Sequence, residues 1–197
     1  MLGKEQIKKA LASRKKLIIV DSSLTDAAVL LPVFVKDGRC HIVFTRRTEH
    51  LHHHSGQISF PGGGRHSDDE SLLQTALRES REEIGLKESD VEILGELDDA
   101  ATVTSLFRIT PFVGVIPYPY KFKRDKFEVE EIFALPLEDL MHKAAQKEEK
   151  AVYGDKIVKV YTYELDGRVI WGATAWILNQ FLEILHKVEK SGAHRRN

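Results

Sequence analysis

Cysteine is nearly absent from this sequence, in which Cys40 is the only one. No disulfide can therefore form within the chain, and a lone thiol suits a reducing compartment. Long hydrophobic runs are missing too, since the longest, residues 27–35, is too short to span a bilayer and contains Pro32. The N-terminal stretch MLGKEQIKKALASRKK lacks the apolar centre of a secretory signal peptide. These absences lead us to expect a cytoplasmic protein.

An excess of one charge is also missing, because 29 Lys and Arg balance 30 Asp and Glu to a net charge of −1. This balance gives no reason to expect nucleic acid or a membrane surface as a partner. The hydrophobic content of 42% is ordinary for a globular protein. We expect one domain over 1–197, with its core at about 27–185, an N-terminal helix at about 4–15 and a disordered basic tail at about 191–197.

Turn residues and periodicity predict interleaved strands and helices. Two Asp-Gly pairs predict hairpins: Asp37-Gly38 between 27–35 and 41–46, and Asp166-Gly167 between 157–165 and 168–171. Further strands are predicted at 17–20, 58–60, 91–97, 108–117 and 127–134, and helices at 137–147 and 173–190. Pro111 suggests that its strand lies at a sheet edge or contains a bulge. Together these elements favour an α/β/α sandwich around a mixed sheet.

The segment 64–86, GRHSDDESLLQTALRESREEIGL, dominates the pattern. It predicts a helix from about Asp69 to Ile84, capped by Ser67 or Asp68 and ended by Gly85. At about 100° per residue, one side of this helix is suited to a core. That side carries Leu73, Ala76, Leu77, Ser80 and Ile84.

The opposite side of the helix carries Glu79, Glu82 and Glu83, with Arg78 at its edge. Like charges at helical spacing repel each other. Divalent cations such as Mg²⁺ or Mn²⁺ would neutralise such a cluster, because they prefer carboxylate ligands. A solvated acidic face is the alternative reading of the carboxylates taken alone.

The spacing around these carboxylates decides between the two readings. Gly64, Glu70 and the run Arg78–Leu86 resemble the Nudix hydrolase signature G-x5-E-x7-R-E-U-x-E-E-x-G-U, in which U is a bulky aliphatic residue. Ser80 is the one departure, and it lies on the core side. The resemblance implies a Nudix-type α/β/α sandwich with a mixed sheet and a loop-helix-loop catalytic motif. It also implies an enzyme that cleaves a diphosphate linked to another moiety, using Mg²⁺ or Mn²⁺.

The preceding segment 43–63, VFTRRTEHLHHHSGQISFPGG, resembles a second signature, that of the coenzyme A pyrophosphatase branch. His52 departs from it, because the branch has an arginine there. Segments 104–114, 128–137 and 171–175 are also similar to this branch. The implied reaction converts coenzyme A, or a derivative, into 4′-phosphopantetheine and adenosine 3′,5′-bisphosphate. The alternatives are hydrolysis of ADP-ribose, NADH or a dinucleoside polyphosphate, and a Nudix module that senses a nucleotide without cleaving it.

Roles for individual residues follow from the resemblance and from the chemistry of a diphosphate, whose charge metal ions neutralise. The proposed metal ligands are Glu79, Glu83, Glu82 and the Gly63 carbonyl. Catalytic roles fall to Glu79, Glu82, Arg78 and Glu128. The general base stays open between a glutamate of the signature, Glu128 and Glu131.

We expect a small nucleotide substrate of the coenzyme A type, and a homodimer is possible. The candidate substrate contacts are Arg46, Arg47, His54, Gln57 and Phe60. Large aromatic residues, Trp171 among them, are expected in the core, with one of them available to stack on adenine.

Overall fold

The computed structural model describes residues 4–49, 55–102, 105–142, 145–153 and 156–193. Its helices are α1 (Lys4–Ala12), α2 (Leu72–Ile84), α3 (Leu137–Met141) and α4 (Gly172–Ala193). Its strands are β1 (Thr25–Lys36), β2 (Arg39–Arg47), β3 (Ile58–Ser59), β4 (Gly62–Gly64), β5 (Glu92–Glu96), β6 (Ala100–Ala101), β7 (Phe107–Val115), β8 (Val129–Pro136), β9 (Gln146–Tyr153), β10 (Lys156–Leu165) and β11 (Arg168–Ile170).

Strand β1 is the centre of a mixed sheet, parallel to β7 and antiparallel to β2 and β4. Its alternate side chains enter two separate cores, which is why the run is almost continuously apolar. Ala28 and Leu30 pack on the α2 side, whereas Leu31 and Val33 pack on the side of α1 and α4. Helices therefore cover both faces of the sheet, and the expected α/β/α architecture is confirmed.

The first two strands separate from each other halfway along their length. They pair between residues 33–36 and 39–42, and beyond that point β4 pairs with β1 and β3 pairs with β2. The short chain from β3 through Pro61 to β4 thus fills the space between the separating strands. This arrangement brings the glycines of β4 against α2.

Both predicted hairpins are confirmed. Asp37 and Gly38 have φ values of 50° and 75°, and Asp166 and Gly167 have 53° and 72°. These left-handed conformations match the twist of the flanking strands. The second hairpin, with β9, forms a separate three-stranded antiparallel sheet against α4.

The predicted helix at 137–147 is wrong in its second half. Helix α3 ends at Met141, and the chain then forms β9. The charged sequence of β9 suits a helix by propensity, but pairing with β10 overrides it. Lys147 and Glu148 make ion pairs with Glu164 and Lys159 of β10, at 3.3 and 2.7 Å.

The strand predicted at 17–20 is also wrong. Two aspartates between β5 and β6 hold this segment: the amides of Leu17 and Ile19 donate to the Asp98 and Asp99 carboxylates, and the Asp99 amide donates to the Leu17 carbonyl. Pro111 lies in an interior strand, so the edge alternative is wrong, and the nearby register shift lies between Ile93 and Gly95 of the neighbouring β5. Proline is accommodated there because it lies opposite the break between β5 and β6, where its carbonyl accepts from the Leu97 amide.

The N-terminal helix is confirmed but ends at Ala12. None of the helices in the described ranges combines the length and hydrophobicity needed to cross a bilayer.

Candidate active site

Helix α2 begins later than its sequence indicates. Ser71 is the N-cap, with its hydroxyl accepting from the Gln74 amide at 3.2 Å. The predicted caps Ser67 and Asp68 are therefore wrong, while Gly85 ends the helix as expected, with φ of 68°. Asp69 lies before the helix because its carboxylate accepts from the His66 amide and the Thr75 hydroxyl.

The core side of α2 carries the five residues that the periodicity predicted, although Leu73 and Leu77 are only partly buried. Ala76, Ser80 and Ile84 are fully buried. Ser80 is tolerated at an aliphatic position because its hydroxyl donates to the Ala76 carbonyl at 2.7 Å, one turn back along the helix. The departure from the signature thus leaves no polar group unpaired.

Arg78 holds the acidic side of the helix together. Its Nε and Nη2 bind the two oxygens of Asp69 at 2.9 and 3.0 Å, while Nη1 donates to Glu79 at 2.8 Å and to Glu82 at 3.0 Å. Nη2 also donates to the Gly64 carbonyl at 3.2 Å. The Arg78 guanidinium holds the pKa of the buried Asp69 carboxyl well below its usual range.

Sequence reasoning missed Asp69 as the partner that fixes Arg78. It lies nine residues upstream in a loop, outside the helical periodicity, so only its acidic character among loop residues could have suggested it.

Glu79 lies directly against the glycines of β4. A Cβ atom added to Gly63 would come within 2.6 Å of the Glu79 carboxylate. Burial raises the pKa of Glu79, the Arg78 ion pair opposes that effect, and the neighbouring Glu82 and Glu128 add to it. Glycine at position 63 is therefore what permits this carboxylate to meet the backbone.

Glu83 is the most deeply buried of these carboxylates, with 3% of its surface exposed. One oxygen accepts from the Gly62 amide at 3.1 Å and the other from Arg47 Nη1 at 3.3 Å. Burial raises the pKa of Glu83 to about 8; the Gly62 hydrogen bond and Arg47 oppose this rise, while Glu79 and Glu128 add to it.

Glu128, far along the chain, joins the same group of charges. Its carboxylate lies 3.8 Å from Arg47 Nη2, so Arg47 stands between it and Glu83. The backbone there is anchored to the end of β2, because the Thr48 amide donates to the Glu128 carbonyl at 3.0 Å. Glu79, Glu82, Glu83 and Glu128 are called the carboxylate cluster below.

The remaining candidates are divided between the site, the core and the outer surface. Gln57 is half-buried, with its carbonyl accepting from the Arg47 amide at 3.0 Å. Phe60 is only 2% exposed and stacks on Phe44, so its contact with substrate is not supported and we assign it to the core.

Glu131 pairs with Arg46 and Arg168 instead of joining the carboxylate cluster. His54 lies outside the described residues.

The chemistry of these side chains fits a divalent cation. Four carboxylates and Asp69 face three arginines, Arg47, Arg78 and Arg81, so negative charge is in excess. Within the described ranges, no three His, Cys, Asp or Glu side chains already converge with ligand geometry. Burial, the main cause of the raised pKa values of Glu79 and Glu83, disfavours their charged forms, which a bound divalent cation would stabilise.

Comparisons with known proteins agree with this geometry. The chain matches the family model described as NUDIX domain over residues 24–155. It is 34% identical over 157 residues to the uncharacterized Nudix hydrolase NudL of Yersinia enterocolitica, an alignment that covers 80% of each protein.

Solved structures share the fold at low sequence identity. A MutT/nudix family protein from Enterococcus faecalis has a TM-score of 0.59 and 12% identity, covering 94% of this chain and 76% of that one. An Ap4A hydrolase from C. elegans has a TM-score of 0.50 and 17% identity, covering 59% and 82%.

The stability of the metal-free protein should depend on Glu83. Because the folded pKa is raised from 4.5 to about 8, the protonated form favours folding, and this contribution is complete below pH 4.5. It should be lost as the pH rises to about 8, by on the order of a few kcal/mol. In EDTA, Glu83→Gln should therefore flatten the fall in Tm over this range.

The control for this experiment is Glu82→Gln, which changes a half-exposed carboxylate and should keep the wild-type pH dependence. Excess Mg²⁺ should raise the Tm of the wild type at pH 8 more than that of Glu83→Gln. Equal Mg²⁺ shifts in the two proteins would contradict a metal site at Glu83.

Gly63→Ala should displace Glu79 without unfolding the protein, because the new methyl group meets a flexible side-chain end. We expect kcat/KM to fall by about 100-fold, the scale of a misplacement of about 1 Å. Gly64→Ala is the matched control, since its Cβ would have Phe107 at 3.9 Å as its nearest neighbour, and it should lose far less. Equal losses of kcat/KM in the two variants would show that the loss in Gly63→Ala does not come from displacement of Glu79.

Proposed function

The chain belongs to the Nudix hydrolase family, and on that premise we propose that it hydrolyses the diphosphate of coenzyme A or of a coenzyme A derivative. Membership of the family makes it a hydrolase of a nucleoside diphosphate derivative. Family members generally use divalent metal ions such as Mg²⁺ or Mn²⁺. The choice of coenzyme A is our own inference.

The observation that supports this choice is the connection of segment 43–63 to Glu83. Arg47, near one end of the segment, and the Gly62 amide, at the other end, bind the two oxygens of that one carboxylate. The residues that resemble the coenzyme A pyrophosphatase branch therefore belong to the same site as the Nudix signature. Residues that select the substrate have to lie close to the diphosphate that reacts, so a shared site is expected of such a signature.

In this proposal Glu79, Glu82, Glu83 and the Gly63 carbonyl hold the metal. A bound Mg²⁺ or Mn²⁺ would neutralise diphosphate charge and lower the pKa of an attacking water. Arg78, itself fixed by Asp69, keeps the Glu79 carboxylate in one orientation. Arg47 does the same for Glu83 and adds a positive charge beside the diphosphate.

Glu128 is our choice of general base. It is half-exposed, so water can reach it, and it lies across Arg47 from Glu83. Water would attack one phosphorus of the diphosphate and give its proton to Glu128 as the P–O–P bond breaks. The leaving phosphate takes the bond's electron pair, and the products are 4′-phosphopantetheine, acylated or not, and adenosine 3′,5′-bisphosphate. Arg46, Arg47 and Gln57 remain our candidate substrate contacts, with His54 for the loop outside the described residues.

A substrate panel tests the proposal. The purified protein is incubated with Mg²⁺ or Mn²⁺ and, separately, coenzyme A, acetyl-coenzyme A, ADP-ribose, NADH and a dinucleoside polyphosphate, and the products are identified by mass spectrometry. We expect the highest kcat/KM for a coenzyme A compound, with release of adenosine 3′,5′-bisphosphate. Intact coenzyme A beside cleaved ADP-ribose would refute the choice of substrate while leaving the family assignment in place.

The base assignment is tested by Glu128→Gln. We expect kcat to fall by about 100-fold or more with a small change in KM, because proton transfer in the transition state is lost. Arg39→Gln is the control, since Arg39 pairs with Glu138 and Asp139 on the surface. Near-normal kcat in Glu128→Gln would return the role of base to a glutamate of α2.

A further inference from the structure

Two arginines, Arg46 of β2 and Arg168 of β11, share one glutamate, Glu131 of β8. Arg168 Nη2 donates to Glu131 Oε1 at 2.6 Å, and Arg46 Nη2 lies 3.4 Å from the other oxygen of the same carboxylate. Two positive charges thus face one negative charge, and the group keeps a net positive charge. Both arginine side chains retain solvent access, so the surplus charge is open to a ligand.

The Arg168 guanidinium is held in place by aromatic stacking. It lies over the Phe133 ring at 4.3 Å, Phe133 stacks on Phe44 at 5.8 Å, and Phe44 stacks on Phe60 at 4.9 Å. Phe60 immediately precedes Pro61 and the glycines of β4. A continuous row of stacked groups therefore connects Arg168 to the backbone of the active site and orders its charged end before a ligand arrives.

Arg46 and Arg47 are adjacent in β2, but their side chains bind different carboxylates. Arg47 binds Glu83 on the α2 side, whereas Arg46 binds Glu131, beside Phe133 and the core of α4. Strand β11, which carries Arg168, lies against β3, and β3 leads through Pro61 to Gly62. Arg46 is thus one residue along β2 from Arg47, which reaches the carboxylate cluster, and β11 is connected to the active-site backbone through β3. We expect the other part of a nucleotide substrate to extend from the diphosphate toward these two arginines.

The hydrogen-bonding capacity of Arg168 is far from filled. A guanidinium has five N–H donors, and within the described residues its only charged partner is Glu131. Its Nε is buried and has no acceptor among those residues. Arginine suits phosphate because its planar donors match two oxygens at once.

We propose that Arg46 and Arg168 bind a phosphomonoester, namely the 3′-phosphate on the adenosine of the substrate. This inference rests on the proposed function for the identity of the substrate, and it adds Arg168, which the sequence did not indicate. The carboxylate cluster and the arginine pair then have opposite net charges, one suited to cations at the diphosphate and the other to the terminal phosphate. Trp171, three residues after Arg168, is 52% exposed, so its expected place in the core is wrong.

Calorimetry without metal tests the binding site apart from hydrolysis. The probes are adenosine 3′,5′-bisphosphate and AMP, which differ by the 3′-phosphate. The wild type should prefer the bisphosphate, and Arg168→Met, which keeps an apolar stem on Phe133, should weaken its binding by roughly tenfold or more. Arg46→Gln should also weaken the binding of the bisphosphate. In both variants the affinity for AMP should change far less.

Glu131→Gln separates a ligand site from a structural ion pair. Removing this carboxylate frees both arginines, so bisphosphate binding should tighten. If the cluster only joins the two sheets, Glu131→Gln and Arg168→Met should instead lower Tm and weaken both probes alike, and that result would overturn the proposal. Arg39→Gln, which also breaks a pair of arginine–carboxylate contacts on β2, is the matched control.

Kinetics with coenzyme A and 3′-dephospho-coenzyme A distinguish this inference from the proposed function. In Arg168→Met, the KM values of the two substrates should become more alike, while kcat on saturating coenzyme A is retained. This result would support both the phosphate site and the proposed function. An arginine-dependent preference for the bisphosphate without coenzyme A hydrolysis would refute the substrate and keep the phosphate site. Hydrolysis of both substrates with equal KM in the wild type would refute the phosphate site and keep the activity. Arg46→Gln and Glu131→Gln supply the same tests should Arg168→Met fail to fold.

Discussion

The close approach of the β4 backbone to α2 is the constraint on which the rest of the site depends. Gly62 donates its amide to Glu83, and Gly63 leaves room for the Glu79 carboxylate because it has no Cβ atom. A side chain at Gly62 would collide with the Ala28 carbonyl of β1, so the same glycines also permit the sheet to form. The glycines of β4 therefore serve two purposes, because they let this strand pack in the sheet and they expose its backbone to the carboxylates.

Burying carboxylates in this way is unfavourable unless positive charge compensates them. The protein uses two arginines with different supports: Asp69 fixes Arg78 from the loop before α2, and Arg47 extends from the end of β2 between Glu83 and Glu128. The remaining excess of negative charge is the physical reason for expecting a divalent cation. Positive charge is in excess around Glu131, where our proposal places the terminal phosphate of the substrate.

Much of the fold followed from local pattern. The two Asp-Gly hairpins, the apolar β1, the core side of α2 and its glycine end were all predicted, because each is set by residues close together in the chain. Errors arose where distant partners decide structure. Strand β9 has a helix-like sequence that pairing with β10 overrides, and Pro111 lies inside the sheet because the break between β5 and β6 accommodates it.

The sequence by itself determined the spacing of the glutamates on α2 and their family signature, because helical geometry fixes which residues share a side. Only the tertiary structure decided that Glu83 is buried while Glu82 is exposed, and that Asp69, Glu128 and Arg168 take part in the charge pattern. These residues come from loops and strands far apart in the chain. Their proximity depends on the separation of β1 from β2 and on the pairing of β2 with β8, which no local pattern encodes.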